Sequence, residues 1–242
     1  MQIIMTAFEP FGEFKNNSSY EGLNNLVSNN VTKIVLPVAY PDAYLKLKPF
    51  IKDDNFIILL GMAANRKMIS IEERAKNILS FRIPDNNGNM INNQPIDINQ
   101  KEYLYSKVDI DSLIKKINQS QESCYKSSDA GEYICNYLYF EVLNNHSNHC
   151  IFIHIPNYQT VDEYNYLNDF LIKLINYINE NKKIAWSYLF IFISPLLKYN
   201  ILLSCFTINC PSSLISKITP SYILLFLSNS IILLIPNRFV LI

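Results

Sequence analysis

A chain of 242 residues and 28.1 kDa is long enough for one domain with a sizeable hydrophobic core. Lys plus Arg and Asp plus Glu balance at 21 each, which excludes the global basic field that would attract nucleic acid. Only 17% of the residues are charged, and they are distributed so unevenly that the chain divides into two kinds of material near residue 183.

In the first part, short apolar runs alternate with amphipathic stretches. Ile3–Met5, Ile34–Val38, Phe56–Leu60 and Ile151–Ile155 are rich in Ile and Val and bounded by Gly, Pro or Asn. They are predicted as strands at least partly buried on both faces. Helices are predicted near 18–28, 42–52, 111–118 and 132–145. The strongest helical pattern lies near 162–180, where Leu167, Phe170, Leu171, Leu174, Ile175 and Ile178 share one face. This alternation predicts an α/β sandwich with helices on both faces of the sheet. Residues 84–103, rich in Asn, Pro and Gln, are predicted as a long surface loop.

From about Ile184 onward there is no Asp or Glu, and the charges are Lys198, Lys217 and Arg238. Two apolar runs stand out, Trp186–Phe206 and Tyr222–Ile235. The first carries Pro195 and Lys198 near its middle, and the second is short of the roughly 20 apolar residues a bilayer span needs. Three readings are open: a membrane anchor, buried core of a larger domain, or translated intron or readthrough. The α/β pattern is complete without this tail, so a domain is expected at 1–183 and an apolar tail at 184–242.

Cys124, Cys135, Cys150, Cys205 and Cys210 are odd in number, scattered and without a CxxC pair. The start, MQIIMTAFEPFG, has no basic n-region followed by a long apolar stretch. A reducing, cytoplasmic setting is therefore expected. In that setting a Cys is either a buried inert thiol or a nucleophile.

Three segments hold polar residues that a scaffold would not need. Gly61-Met-Ala-Ala-Asn-Arg-Lys-Met-Ile-Ser-Ile-Glu72-Glu73-Arg74 follows a predicted strand, at the end where open α/β sheets place their sites. Asp129-Ala-Gly-Glu-Tyr-Ile-Cys135-Asn136 is a small-residue turn entering a predicted helix. A thiol in the first turn of a helix feels the positive end of its dipole, and Asp129 or Ser128 is placed to cap it. Ile151-Phe-Ile-His154-Ile-Pro156 is an apolar strand with one His, either a hydrogen-bonded core residue or a proton shuttle. Such a Cys–His pair needs a third group to orient the imidazole, and Glu72 and Glu73 are both available. His146 and His149 lack the further ligands at fixed spacing that a zinc site requires, so no metal is expected.

Several segments, in order, resemble the pyroglutamyl-peptidase I family. Thr6-Ala-Phe-Glu-Pro-Phe-Gly12 is similar to its opening T-G-F-x-P-F-G, and Asn17-Ser-Ser-Tyr-Glu21 to its N-x-S-W-x segment. Ile69-Ser-Ile-Glu72 resembles the segment holding the family's active-site glutamate. Arg82-Ile-Pro-Asp-Asn86 with Gly88-Asn89 resembles R-I-P-D-N-x-G-N. Asp129-Ala-Gly-Glu-Tyr-Ile-Cys135 is close to the D-A-G-x-Y-x-C form that carries the nucleophile in eukaryotic members, and Phe152-Ile-His154-Ile-Pro156 matches the F-x-H-x-P of the active-site His. The resemblance covers roughly residues 1–180.

The fold it implies is a three-layer α/β/α sandwich around a mostly parallel mixed sheet. The implied activity is removal of N-terminal pyroglutamate from peptides, without a metal or organic cofactor. Cys135 is then the nucleophile, His154 the base and Glu72 the residue that orients His154. Phe8 and Phe11 build the ring pocket, an apolar slot suited to a flat, uncharged lactam. Asn17, Met62, Arg82, Ile83 and Ile134 are the remaining candidates for substrate binding. For Arg82, anchoring the Asn-rich loop is an equally open role. Ala7 replaces the usual Gly, Met62 stands where many bacterial members have Gln, and the glycine-rich turn is thinned to Gly61-Met-Ala-Ala-Asn65. Two other classes remain open: an impaired member that binds peptides without cleaving them, and a membrane-tethered structural protein resting on the tail.

Overall fold

The computed structural model describes residues 2–28, 30–146, 149–198, 223–227, 230–235 and 238–241, with side chains through residue 181. Two compact units divide it, Met1–Ile178 and Asn179–Ile242.

The first unit is built on a six-stranded sheet. Its strands are β1 (Ile3–Phe8), β2 (Val31–Leu36), β3 (Phe56–Met62), β4 (Ile69–Glu72), β7 (Cys124–Ser127) and β8 (Cys150–Ile155), in the order β2-β1-β3-β8-β4-β7. Neighbours run parallel throughout except where β4 meets β8. Two short strands, β5 (Arg74–Lys76) and β6 (Tyr103–Tyr105), pair antiparallel as a separate ribbon.

β1, β3, β4 and β8 are buried at every position, as strands covered on both faces must be. One face packs on α1 (Ser18–Asn25), α3 (Ile110–Ile117) and α5 (Val161–Lys198). The other packs on α2 (Asp42–Leu47) and α4 (Ile134–His146). Both faces carry helices, and the sheet is mixed but mostly parallel.

Helix starts follow local chemistry. The Asn17 side chain accepts from Ser19 N–H at 3.0 Å, and Asp109 from Ser112 N–H at 3.0 Å. At α5, Thr160 and Glu163 bond reciprocally in a capping box: Thr160 N–H donates to Glu163 Oε2 at 2.9 Å, and Glu163 N–H to Thr160 Oγ1 at 3.3 Å. Leu167, Phe170, Leu171, Leu174, Ile175 and Ile178 are all buried, each contributing about 2 kcal/mol of transfer free energy, whereas Ile172, on the other face, is exposed. α1 lies so close to this stripe that a Cβ on Gly22 would sit 2.4 Å from Leu167 Cδ2.

Two expectations are corrected. α5 does not end near residue 180 but continues to Lys198, with no Gly in it and no Pro before Pro195. Ser128 and Asp129 do not cap α4, which begins five residues after Asp129. Asp129 accepts instead from Gly131 N–H at 3.0 Å, and Ser128 donates to Glu73 at 2.7 Å. The stretch from residue 84 to the start of β6 at Tyr103 is a long loop, as expected. Asp85 gathers it by accepting from the N–H groups of Tyr40, Asn87 and Asn89, and burial of this carboxylate is outweighed by these bonds, which lower its pKa.

The second unit contains the end of α5 and an antiparallel sheet, order β11-β10-β9, from β9 (Ile223–Leu227), β10 (Ser230–Ile235) and β11 (Arg238–Leu241). Residues 199–206 of the first apolar run, and Tyr222, Ser228 and Asn229 of the second, lie outside the described residues, as do Cys205 and Cys210. Among the described residues, no helix is long and apolar enough to cross a membrane.

Candidate active site

The register of three strands brings the polar residues together. Gly61 on β3 is the partner of His154 on β8, and Ser70 on β4 is its partner on the other side. Glu72 pairs with Phe152, two residues earlier on β8 and therefore on the same face as His154. That face is the one α4 covers, with Cys135 as the second residue of the helix.

His154 Nδ1 lies 2.8 Å from Glu72 Oε1. A carboxylate only accepts, so Nδ1 carries the proton and Nε2 is left with its lone pair free to act as a base. Glu72 is fully buried and His154 is 5% exposed. Glu72 Oε1 is also 2.6 Å from Arg66 Nη1, and among the described residues Glu72 Oε2 has no hydrogen-bond partner.

Cys135 is half-buried over the central strand. A Cβ built on Gly61 would lie 3.0 Å from its Sγ and 2.8 Å from Phe152 Cζ. Adjacent strands are about 4.8 Å apart, so the glycine that admits the sulfur is the immediate neighbour of His154. Burial pushes the Cys135 thiol up to about 12, and the Glu72 charge adds to this while Arg66 opposes it. Burial lowers the pKa of His154, against the pull of its bond to Glu72.

The first turn of α4 is anchored from outside. Asn136, next to the thiol and fully buried, accepts from Lys76 N–H at 2.8 Å and donates to the carbonyls of Lys76 at 2.8 Å and Ile78 at 3.0 Å. Tyr139 Oη donates to the Glu72 carbonyl at 2.9 Å, tying β4 to α4. Arg66, Ser70, Asn136 and Tyr139 had not been singled out from sequence. Asn136 directly follows the Cys, and Arg66, with Lys67, is one of two cations in the stretch between the central strand and Glu72.

Beside the thiol is an apolar and aromatic group. Phe11 lies 5.6 Å from Phe14 and 6.2 Å from Tyr133, and Phe81 meets Tyr133 edge-on at 4.9 Å. Tyr133 Oη donates to the Pro84 carbonyl at 3.0 Å. Ile83 is 42% exposed and reaches to 3.2 Å from the position of a Cβ on Gly12. Phe8 and Ile134 are buried in the core beneath this group, and Met62 is buried at the end of β3. Asn17 is buried at the start of α1, and its amide donates to the Glu9 carbonyl at 3.0 Å. Arg82 is exposed, in the same loop that Asp85 gathers.

His146 faces Tyr44 Oη at 3.4 Å and His149 stacks on Phe56. Among the described residues there is no group of three or more His, Cys, Asp and Glu placed to hold a metal ion.

Residues 1–167 match a sequence model of the family described as pyroglutamyl peptidase. The chain is 35% identical over 167 residues to pyrrolidone-carboxylate peptidase 1 of Caldanaerobacter subterraneus subsp. tengcongensis, a match covering 64% of this chain and 82% of that one. It is 31% identical over 168 residues to the pyrrolidone-carboxylate peptidase of Pyrococcus furiosus, covering 64% and 81%. A solved structure of a mutant pyrrolidone carboxyl peptidase from Pyrococcus furiosus superposes with a TM-score of 0.66 at 27% identity, over 75% of this chain and 99% of that one. Pyrrolidone carboxyl peptidase from Thermus thermophilus shares the fold, with a TM-score of 0.66 at 24% identity over 72% and 97%. With matching motifs on β4, α4 and β8, and the shared mixed sheet beneath them, the chain belongs to the pyroglutamyl peptidase family of cysteine-type hydrolases.

Proposed function

We propose that this chain removes the N-terminal pyroglutamyl group from peptides through a Cys135–His154–Glu72 triad and an acyl-enzyme. The observation that carries the reading is the buried His154–Glu72 contact of 2.8 Å, adjoining the glycine over which the Cys135 sulfur sits. Residues 1–183 are the catalytic domain in this reading.

The chemistry follows from the resting protonation states. Nε2 of His154 takes the thiol proton as Sγ bonds to the carbonyl carbon of the pyroglutamyl residue. The developing oxyanion is stabilised by first-turn N–H groups of α4, which have no intrahelical carbonyl to bond. The C–N bond breaks, and the imidazolium returns its proton to the departing amine. Water, deprotonated by His154, then attacks the thioester and releases pyroglutamate and the free thiol. Glu72 holds the Nδ1 proton throughout and stabilises the imidazolium.

The pocket residues suit a neutral five-membered lactam. Phe11 and Ile83 supply apolar walls beside the aromatic ring of Tyr133, with Phe8, Ile134 and Met62 buried behind them. Asn17 and Arg82 complete the set of proposed substrate contacts.

The test is turnover of a fluorogenic pyroglutamyl amide. The parent chain is expected to hydrolyse it, and Cys135→Ser and His154→Asn are each expected to lower kcat by about 10³ or more. Glu72→Gln is expected to cost about 10²-fold and Glu73→Gln less than about threefold, because the Glu73 carboxylate accepts from Ser128 and faces Lys126 rather than His154. Binding of the amide without turnover by the parent chain would favour an impaired member, and an equal loss at Glu73 would overturn the assignment of the acid.

A further inference from the structure

The geometry points to Arg66 as a positioning residue that locks the orienting carboxylate to the loop of the nucleophile. This rests on the triad reading above. Arg66 lies in the turn after β3, where its N–H donates to the Ala63 carbonyl at 3.0 Å and Ala63 N–H donates to the Ile155 carbonyl at 2.8 Å. Its guanidinium then reaches three ways. Nη1 donates to Glu72 Oε1 at 2.6 Å and to Ser70 Oγ, and Nη2 donates to the Asp129 carbonyl at 2.6 Å. One planar fork thereby joins the end of β3, the strand of the acid and the segment that leads into the nucleophile helix.

The chemistry of the fork explains the residue type. Oε1 is the oxygen that also accepts the hydrogen bond from His154 Nδ1–H, and among the described residues the other oxygen of Glu72 has no partner. Without Arg66, the fully buried carboxylate has no countercharge and is free to rotate about its Cγ–Cδ bond, taking the His154 contact with it. A lysine replaces the charge but presents a point donor, so it cannot hold Glu72 and the Asp129 carbonyl in one plane. The guanidinium also moderates what the acid does to the base. The charged groups that act on His154 are Glu72 from β4, Arg66 from the turn after β3 and Asp129 from the loop before α4, while Glu72 and Arg66 also act on the Cys135 thiol. Arg66 opposes the acids, and it lowers the pKa of both His154 and the Cys135 thiol.

The experiment uses the full chain with Arg66→Lys, Arg66→Met and Arg66→Ala, measuring kcat and KM on the pyroglutamyl amide from pH 5.5 to 9.5. Arg66→Met is expected to lower kcat by about 10²-fold with KM within about threefold, and to move the acid limb of the profile to higher pH. Arg66→Lys is expected to keep the position of that limb and lose about tenfold in kcat. Guanidinium ion at non-denaturing concentration is expected to restore part of the Arg66→Ala rate. Methionine and lysine variants with kcat within about twofold of the parent and an unmoved limb would overturn the inference. If thermal melting shows that the methionine and alanine variants do not fold, the lysine variant decides by the same kcat criterion. Alkylation of Cys135 by iodoacetamide reads the coupling without substrate. Slower alkylation of the variants at fixed pH supports it and an unchanged rate overturns it, so absent turnover by the parent chain would sink the peptidase reading alone.

Discussion

Burial acts in opposite directions on a thiol and an imidazole, and at this site both effects favour the neutral form. The Cys135 thiol is pushed up to about 12, and the pKa of His154 is lowered by its desolvation. Placement at a helix start alone predicts a stabilised thiolate. That expectation loses here because the sulfur sits over Gly61, beneath α4, where water is largely excluded and the Glu72 charge opposes a second anion. The resting pair is therefore thiol and imidazole, and the proton moves during attack instead of before it. A group whose pKa is raised carries little thiolate below that value, so the reactive fraction falls as pH falls. Alkylation of Cys135 is accordingly expected to rise about tenfold per pH unit between about pH 6 and 9, without a plateau. Peptide mapping isolates this signal from Cys124 and Cys150, which are buried free thiols. A plateau beginning below about pH 7 would reveal a preformed thiolate–imidazolium pair and overturn this account.

At the scale of elements, the site depends on close approach between β3 and α4. Gly61→Ala places a methyl group 2.8 Å from Phe152 Cζ and 3.0 Å from Cys135 Sγ, and neither neighbour is the free end of a flexible chain. The substitution is expected to cost about 1–3 kcal/mol in a denaturant melt and at least about tenfold in kcat, through displacement of the sulfur. An alanine variant with parental turnover would show that the glycine does not set the position of the nucleophile. The glycine was legible in sequence as the end of an apolar strand, as were β1, β3 and β8, because continuous Ile- and Val-rich runs bounded by turn residues have few other readings. β4 was not legible as a strand. Ile69-Ser-Ile-Glu72 is four residues long inside a polar stretch, and its character comes from pairing with β8 and β7 rather than from local propensity. Cys135, His154 and Glu72 were legible as candidates by motif, yet the tie between them through Arg66 and Asn136 was not. An Arg or Asn in a polar run looks solvated until the fold shows what it bonds.

The stability of the whole molecule divides along α5. The apolar stripe that docks this helix against the sheet ends at Ile178, the last residue of the first compact unit. The helix itself continues to Lys198, so the boundary expected at 183 from the change in composition falls inside a continuous element. What matters for folding is that α5 loses none of the buried stripe when it is cut after Lys183. A chain ending there is expected to unfold in one cooperative transition and to hydrolyse a pyroglutamyl amide at the full-length rate. The removed residues include no Asp or Glu and two long apolar runs, a composition that favours association. The full-length chain is therefore expected to aggregate at lower concentration than the shortened one in the same buffer, as read by light scattering. An unfolded shortened chain beside a soluble, active full-length one would mean that residues after 183 complete the core, and that the catalytic domain is larger than the stripe on α5 implies.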